Sequence, residues 1–262
     1  MSEEGVWRTI RGHRVFISKD GIIHSKYKEL NGKKLTKKKS QKLEEFRNMS
    51  TEELDRLYNK IFSMNKQPLR DEGLNAESRF QRLVYELGLN DKPRVLSPEE
   101  FDKELGDDRD AMIYRGVRDV ETLDSNMKTN VLTAKEIHDQ MKYGDKTYIG
   151  NGSFGDGLYF TDSQITAKKY GGDDIGNVVT AFLNEKAKVI DFDTLSQMRN
   201  DYYKNQFEPG AEKVSYMFSD ISSFALYKGY NVIAADGGFG ENYLNVLDRS
   251  VLTIREDDKN DK

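Results

Sequence analysis

Cysteine is absent from this chain of 262 residues, and histidine occurs only at His13, His24 and His138. Without cysteine the protein has no disulfide bond, no cysteine nucleophile and no thiolate ligand for a metal. Three scattered histidines argue against a zinc centre and a Ser-His-Asp triad, and we expect no bound metal. The pattern Gly-x-x-x-x-Gly-Lys-[Ser/Thr] is also missing, which argues against a P-loop. No apolar run has the length of a membrane span, so we expect no membrane contact.

The composition is polar, since charged residues make up 33% and hydrophobic residues 36% of the chain. Fourteen Tyr and thirteen Phe nevertheless supply aromatic bulk for a core. The length allows one large domain or two small ones. From about Asp110 onward, short apolar strands alternate with helical segments and tight turns. This order predicts an α+β fold rather than a doubly wound sheet.

The most informative stretch runs from Gly155 to Gly171 and reads Gly-Asp-Gly-Leu-Tyr-Phe-Thr-Asp-Ser-Gln-Ile-Thr-Ala-Lys-Lys-Tyr-Gly. It predicts a turn, a short apolar strand, a polar cap and a helix that ends at glycine. Tyr159 lies on the strand, and Tyr170 lies at the end of the helix. Because a helix can fold back on the strand that precedes it, we expect the two rings to line one slot. Flat aromatic walls suit a flat cationic ring, and the nicotinamide of NAD⁺ is such a ring.

A second stretch, from Ala111 to Val117, is an apolar run that ends in Arg115 and Gly116. A glycine at the end of a strand lets the backbone come close to a ligand. We expect Arg115 to project from the strand end, where its planar fork of donors fits a phosphate or a carboxylate. A salt bridge at the strand end is the alternative interpretation of the same arginine.

The two stretches together resemble signatures of the ADP-ribosyltransferases. The stretch that begins at Gly155 is similar to the second signature of the poly-ADP-ribose polymerase type. Arg115 stands where that type has a histidine, so the chain looks closer to the arginine-bearing branch of the family. The resemblance covers about residues 110–255. It implies a split β-sandwich with flanking helices and NAD⁺ bound as substrate in the cleft between two small packed sheets.

The resemblance also implies roles for individual residues. Arg115 and Gly116 would anchor NAD⁺, and Tyr159 and Tyr170 would enclose its nicotinamide. Two hydroxyl residues complete the implied cofactor site: Thr166 would bond the nicotinamide carboxamide, and Ser153 corresponds to a serine before the glycine turn. The resemblance implies that Arg115 and Tyr159 belong to the catalytic set together with one glutamate, for which Glu241 is the candidate.

Two positions compete for the role of the catalytic residue. Glu241 opens the last predicted strand pair and would stabilise the positive charge that develops when the nicotinamide–ribose bond breaks. An ungapped match to the family places Tyr243 at that position instead. Because a shift of two residues keeps a strand side chain on the same face, Glu241 remains a candidate.

The N-terminal part differs in character from the rest. Residues 1–48 hold thirteen Lys and Arg against six Asp and Glu, and the basic charge is densest in residues 33–39. A basic run of this kind predicts either a contact with nucleic acid or another polyanion, or a solvated linker. The alternation around Val6–Ile10 and Arg14–Ser18 predicts a hairpin, and this segment resembles one found in phage head-morphogenesis proteins.

Helix-start patterns precede the strands of the second half. Ser97-Pro98-Glu99-Glu100 and the pair Thr133 and Glu136 are capping sequences. The predicted organisation is therefore a hairpin segment (1–32), a basic linker (33–48), a helical segment packed on the catalytic domain (49–109), an ADP-ribosyltransferase domain (110–256) and a charged tail (257–262).

The resemblance implies a mono-ADP-ribosyltransferase of bacterial or phage type that modifies a host protein, located in the bacterial cytoplasm or associated with the virion. One alternative is an NAD glycohydrolase, which passes ADP-ribose to water. Phe239 stands where arginine-directed enzymes have Glu or Gln, which argues against arginine as the acceptor and leaves the acceptor open. Another is a phage head protein whose transferase-like domain has no catalytic role. Residues 33–39 are a candidate for a weak contact with nucleic acid or a capsid.

Overall fold

The computed structural model describes residues 5–10, 13–18, 23–24, 38–64, 79–89, 91–123, 129–145, 149–172, 177–206, 216–238 and 240–256. The chain divides into two compact units, Met1–Gln41 and Lys42–Lys262. The basic residues 33–37 and the predicted tail 257–262 lie outside the described residues, as do the side chains of Lys38 and Lys39.

The first unit contains a small antiparallel sheet. Its strands are β1 (Gly5–Ile10), β2 (His13–Ser18) and β3 (Ile23–His24), in the order β1-β2-β3. Strands β1 and β2 pair along their whole length, from Gly5 opposite Ser18 to Ile10 opposite His13. The alternating N-terminal pattern thus forms the hairpin that it predicts.

The second unit is a mixed α+β structure, as the order of elements predicts. Its strands are β4 (Arg94–Leu96), β5 (Ile113–Gly116), β6 (Val120–Leu123), β7 (Thr129–Leu132), β8 (Gly150–Gly152), β9 (Gly155–Thr161), β10 (Val178–Leu183), β11 (Val189–Asp191), β12 (Val232–Gly238), β13 (Glu241–Val246) and β14 (Leu252–Arg255). The described helices are α1 (Lys38–Arg47), which crosses the boundary between the units, α2 (Thr51–Met64), α3 (Arg79–Leu87), α4 (Pro98–Leu105), α5 (Ala134–Tyr143), α6 (Gln164–Tyr170), α7 (Phe192–Gln206) and α8 (Ile221–Lys228). Short 3₁₀ turns lie at Arg109–Ala111, Tyr216–Ser219 and Arg249–Val251.

Nine of the described strands join in one sheet, in the order β11-β12-β13-β9-β5-β10-β14-β4, with β8 paired to β9. The sheet has two halves. Strands β11, β12, β13 and β9 form one half, and β5, β10, β14 and β4 form the other. Among the described residues the halves are joined at one pair, Tyr114 opposite Thr161. All four residues of β5 pair with β10, whereas the described pairing of β5 with β9 is confined to Tyr114.

Two large apolar clusters pack the strands and helices of the second unit together. One contains Ile113, Leu158, Phe160, Val179 and residues of β12, β13 and β14, so it draws on both halves of the sheet. The other lies on the far face of the half that contains β12 and β13 and is formed largely by helices. Alternate residues of β9 and β13 therefore face different surroundings, as the two-residue period of a strand requires.

Local capping sets the beginning of two helices where the sequence predicts them. The Ser97 hydroxyl accepts from the backbone N–H of Glu100, and the Glu100 carboxylate accepts from the backbone N–H of Ser97. Thr133 and Glu136 make the same reciprocal pair at the start of α5. Each box satisfies two backbone donors that have no partner inside the helix.

The structure corrects two predicted segments. The stretch 33–48 is not a plain linker, because α1 begins at Lys38 and Phe46 is fully buried in the helical cluster, with Leu43 packed against it. The stretch 49–109 is not wholly helical either. Arg94–Leu96 forms the edge strand β4, which pairs in parallel with β14. Both errors come from contacts with residues far away in sequence.

Candidate active site

A cleft opens where β5 and β9 separate, and its volume is about 510 Å³. We call it the first cleft. This volume is in the range of small-molecule sites. Its lining comes from β5, from the turn between β8 and β9, from α6 and from the β12–β13 end, and it consists of Tyr114, Arg115, Gly116, Val117, Gly150, Gly152, Ser153, Phe154, Tyr159, Phe160, Thr161, Ala167, Tyr170, Asp236, Gly237 and Tyr243.

Tyr159 is held rigidly in this cleft. Its hydroxyl donates to the backbone carbonyl of Gly155 at 2.5 Å and accepts from the backbone N–H of Phe154 at 3.1 Å. A methyl group added to Gly152 would lie 2.5 Å from the ring, so the backbone of β8 packs directly on it. Burial raises the pKa of the Tyr159 hydroxyl to about 12, which keeps the phenol neutral at physiological pH. The residue therefore presents a fixed, uncharged aromatic wall.

The turn that holds Tyr159 explains both glycines of the Gly-Asp-Gly sequence. Gly155 has a φ of +93°, and a methyl group there would lie 2.2 Å from the hydroxyl of Ser222. A methyl group on Gly157 would overlap the side chain of Asn245 at 1.8 Å. The same Asn245 amide donates to the carbonyl of Phe154 at 2.9 Å. Only glycine fits at these two positions.

Tyr170 is the last residue of α6 and is 59% exposed, so its ring is available on the rim of the cleft. Helix α6 packs closely on Gly116, since a methyl group on this glycine would lie 1.7 Å from the carbonyl oxygen of Ala167. Strand β5 and helix α6 therefore touch through the backbone. This contact brings Tyr170 to the same cleft as Tyr159, as the sequence pattern predicts.

Arg115 lines the cleft but does not project freely from the strand end, which differs from the expectation. Its side chain is only 5% exposed, and a guanidinium N–H donates to the backbone carbonyl of Tyr159 at 3.0 Å. The strand continues to Gly116 and alternates, so the arginine faces inward between β5 and β9. Its positive charge therefore lies in the inner wall of the cleft.

Buried basic groups of α5 lie close to this arginine. Burial and the positive charges of Arg115 and Lys142 lower the pKa of His138 to about 3, so the imidazole is neutral at physiological pH. Lys142 is 2% exposed and lies one helical turn after His138. Sequence reasoning had no signal for this cluster, because both residues occupy ordinary positions of an amphipathic helix.

Glu241 begins β13 and does not line the first cleft. It lines an adjoining second cleft of about 580 Å³, which is bounded by Thr166, Lys169, Tyr170, Gly237, Gly238, Glu241 and Tyr243. The hydroxyl of Thr166 lies 2.7 and 2.8 Å from the two carboxylate oxygens of Glu241. The structure thus brings Thr166 and Glu241 together, across 75 positions of sequence.

Tyr243 lines both clefts and stands between them. Burial, then a hydrogen bond with Tyr170 and the charge of Glu241, raise the pKa of its hydroxyl. Its ring packs against Gly237, where a methyl group would lie 2.2 Å from it. It also contacts Phe154, with ring centroids 6.3 Å apart and planes tilted by 31°. Glu241 and Tyr243 share one face of β13, as the two-residue shift requires.

Two further lining residues complete the picture. Ser153 is exposed at the turn between β8 and β9 and lines the first cleft, as the resemblance implies for a serine before the glycines. Phe154, which sequence reasoning did not single out, contacts the Tyr159 ring with centroids 6.5 Å apart. Its position directly before Gly155 was the available signal, since a bulky apolar residue in a polar turn needs a packing partner.

The buried carboxylate of Asp220 lies next to the turn at Gly155, since a methyl group on this glycine would lie 3.2 Å from it. Asp220 caps α8 and accepts from the backbone N–H groups of Ser222 and Ser223 at 3.3 and 3.2 Å. Burial and the neighbouring charge of Asp156 raise the pKa of Asp220 to about 6, although these hydrogen bonds lower it. Asp156 lies in the Gly-Asp-Gly turn, so a negative charge of this turn disfavours ionisation of Asp220.

Comparison of the chain with protein-family models, with curated proteins and with solved structures found no match in any of the three. Within the described ranges, no three His, Asp or Glu side chains are grouped so that they would hold a metal ion. No helix in the described part of the chain has both the length and the apolar character needed to cross a bilayer.

Proposed function

We propose that this protein is an NAD-dependent mono-ADP-ribosyltransferase that cleaves the nicotinamide–ribose bond and transfers ADP-ribose to a protein. One observation carries the proposal. Arg115, Tyr159 and Tyr170 come from three different elements, and all three line the first cleft. Their meeting in one hollow is what the resemblance to ADP-ribosyltransferases requires, and Arg115 reaches it from a strand that lies 44 positions before Tyr159.

The topology of the sheet also supports the proposal. A sheet that divides into two halves after a single pair, Tyr114 opposite Thr161, leaves a gap between β5 and β9. The split β-sandwich of ADP-ribosyltransferases binds NAD⁺ in a gap of this kind. The order of helices before β5 and the strand–turn–helix from Gly155 are compatible with the same architecture.

In the proposed complex the nicotinamide ring of NAD⁺ lies between Tyr159 and Tyr170. Tyr159 is rigid and neutral and serves as the inner wall, while the exposed Tyr170 closes the outer side. Gly116 lines the same cleft, and in our proposal its backbone bonds the nicotinamide amide. Arg115 places a positive charge in the inner wall, where it favours the negative diphosphate.

The bond cleavage needs electrostatic help rather than a proton donor. Nicotinamide leaves as a neutral molecule, and positive charge develops on the ribose, as in glycoside hydrolysis. In our proposal the Glu241 carboxylate stabilises that charge and directs the incoming acceptor. Because Glu241 lines the second cleft, the ribose must extend past Tyr243 to meet it.

The decisive experiment is incubation of the purified protein with NAD⁺ labelled in its adenylate part and a bacterial lysate. Labelled proteins that disappear with the Glu241→Gln variant support the transferase. Free ADP-ribose without labelled protein supports the alternative, a glycohydrolase. If calorimetry detects no NAD⁺ binding and no product forms, the enzyme proposal is wrong and a non-catalytic role in a phage particle remains.

The biological setting is part of the same proposal. The N-terminal resemblance to phage head-morphogenesis proteins favours a bacterial or phage effector whose acceptor is a host protein. It acts in the host cytoplasm or travels with the virion. In our proposal residues 33–39 provide a contact with nucleic acid or capsid, since their charge is strongly basic.

A further inference from the structure

The hydroxyl of Thr166 lies at hydrogen-bond distance from the carboxylate of Glu241, and Thr166 does not line the first cleft. Its side chain is buried, with 8% exposed, and its hydroxyl lies 2.7 and 2.8 Å from the carboxylate oxygens. A threonine hydroxyl carries a single proton. A proton that is donated to Glu241 cannot be donated to a nicotinamide carboxamide at the same time. The contact therefore argues for a different role from the one that the resemblance implies.

Ser163 fixes the direction of that proton. As the N-cap of α6, the Ser163 hydroxyl oxygen accepts from the backbone N–H of Thr166 at 3.2 Å. The same hydroxyl lies 3.2 Å from the hydroxyl of Thr166 and donates to it. Because the Thr166 oxygen accepts from Ser163, its own proton points to Glu241. The result is a chain of two hydroxyl donors that ends on a carboxylate.

Such a chain is well suited to hold a charged group in one orientation. Hydrogen bonds to an ionised acceptor are roughly twice as strong as neutral ones. Donors in a series also polarise one another, so the second bond is strengthened by the first. Helix α6 and its N-cap Ser163 together carry both hydroxyls and also Tyr170. One short rigid element therefore places the outer aromatic wall and orients the carboxylate.

We propose that Ser163 and Thr166 are positioning residues, which orient the Glu241 carboxylate beside the first cleft, and that Thr166 acts through Glu241 rather than on the bound nucleotide. The inference rests on the proposed function, because it assumes that Glu241 stabilises the reacting ribose. It goes beyond that function by assigning Ser163, and by moving Thr166 from ligand binding to the support of the carboxylate.

The test separates turnover from binding in four variants: Thr166→Val, Thr166→Ser, Ser163→Ala and Ser163→Thr. Steady-state NAD⁺ consumption gives kcat and KM, and calorimetry gives the Kd for NAD⁺. We expect Thr166→Val to lower kcat about ten- to a hundredfold, since a misoriented reacting group costs that much. Its Kd should stay within about threefold of the parent value, because no ligand contact is lost. Ser163→Ala should lower kcat less, and the two hydroxyl-retaining variants should restore it.

A matched control shows whether removal of any buried threonine hydroxyl has this effect. Thr253 is fully buried in β14, its hydroxyl has no hydrogen-bond partner among the described residues, and it lines neither cleft. Thr253→Val should leave kcat unchanged. Thermal unfolding of each variant reports whether it is folded. If Thr166→Val does not fold, Ser163→Ala, which removes the other hydroxyl donor of the chain, tests the inference.

The outcomes separate this inference from the proposed function. If Thr166→Val raises the Kd about tenfold and leaves kcat unchanged, Thr166 binds the ligand directly and the inference is wrong. If Thr166→Ser loses as much turnover as Thr166→Val, the role is packing, which also overturns it. If the parent protein neither binds nor consumes NAD⁺, the proposed function fails.

A measurement without NAD⁺ keeps the orientation itself testable. The Glu241 side chain is coupled to glycine ethyl ester with a water-soluble carbodiimide, and the product is quantified by mass spectrometry. A carboxylate released from its hydroxyl donor should react at least about threefold faster in Thr166→Val than in Thr166→Ser, since a hydrogen-bonded oxygen is a poorer nucleophile. Equal rates would mean that Thr166 does not hold the carboxylate.

Discussion

The guanidinium of Arg115 donates a hydrogen bond of 3.0 Å to the backbone carbonyl of Tyr159, across 44 positions of sequence. The bond spans the gap that begins after Tyr114 and Thr161, the pair that joins the two halves of the sheet. A single arginine thus ties the two edges of the first cleft together and also charges its inner wall. Its loss should therefore affect both stability and binding.

Arg115→Lys tests this double role. Lysine offers a point charge and cannot reproduce the planar fork of donors. We expect NAD⁺ affinity to fall about tenfold, and the free energy of unfolding to fall by about 1–3 kcal/mol, which is the typical cost of an unsatisfied buried group. Calorimetry and urea denaturation measure the two effects. Arg109→Lys, at an exposed ion pair with Asp102, is the control. Parent-like affinity in Arg115→Lys would contradict the assigned role.

Tyr159→Ala tests the inner aromatic wall. Stacking of a base on an aromatic ring contributes about 1–3 kcal/mol, so NAD⁺ affinity should fall about tenfold or more. Tyr159→Phe keeps the ring but removes the hydroxyl that bonds Gly155, and it should weaken binding less. Tyr216→Ala, 73% exposed and outside both clefts, should bind as the parent does. Unchanged affinity of Tyr159→Ala would count against stacking.

Glu241→Gln tests the catalytic carboxylate. Glutamine keeps the shape of the side chain and an acceptor for the Thr166 hydroxyl but removes the negative charge. Turnover of NAD⁺ should fall about a hundredfold or more, as for other single electrostatic stabilisers, while the Kd is preserved. The exposed Glu185, changed to Gln, is the control. A fully active Glu241→Gln enzyme would move the catalytic role to another group.

Tyr243→Phe decides between the two residues that compete for the catalytic position. The change removes the hydroxyl that bonds Tyr170 but keeps the ring that packs against Phe154 and Gly237. If Glu241 is the catalytic residue, kcat should fall less than about tenfold, far less than in Glu241→Gln. A loss in Tyr243→Phe that equals or exceeds the loss in Glu241→Gln would assign the role to Tyr243.

Asp220 should make the stability of the protein fall as the pH rises from about 4 to about 6. Its pKa in the folded state is about 6, above the ordinary value of 3.8, so the folded protein holds this proton more tightly than the unfolded chain. The deprotonated group is therefore the unfavourable form in the fold, and the cost is complete above pH 6. A shift of this size corresponds to roughly 2–3 kcal/mol.

The Asp220→Asn variant isolates that contribution, because asparagine is a good N-cap and does not titrate. Urea denaturation of both proteins at pH 4, 5, 6 and 7 gives the difference in unfolding free energy. The variant should gain stability relative to the parent as the pH rises through this window. A difference that is constant with pH would show that Asp220 carries no shifted proton. His138 acts with the opposite sign in the same window but is common to both proteins.

Interactions between residues three or four positions apart were readable from the sequence. The capping pairs Ser97 with Glu100 and Thr133 with Glu136 start α4 and α5 as predicted, because each pair satisfies its own helix end. The stretch from Gly155 likewise forms a turn, a strand and a helix in the predicted order. The prediction that Tyr159 and Tyr170 face one cleft held for the same reason, since strand and helix are adjacent in the chain.

Contacts between distant segments were not readable in this way. The three residues of β4 carry too little pattern to be recognised, and their strand pairing depends on β14, about 160 positions later. The burial of Arg115 and the bond between Thr166 and Glu241 likewise depend on how β5, α6 and β13 pack. The position of Tyr243 between two clefts follows from the same packing.

By itself the sequence determined the fold class, the helix starts and the residue types of the aromatic slot, because local hydrogen bonding and hydrophobic periodicity act over a few residues. Only the tertiary structure decided that Arg115 faces inward, that Glu241 lies in a neighbouring cleft, and that a serine and a threonine orient it. These relationships arise from strand pairing and side-chain packing between segments tens of residues apart, for which a single chain carries no local signature.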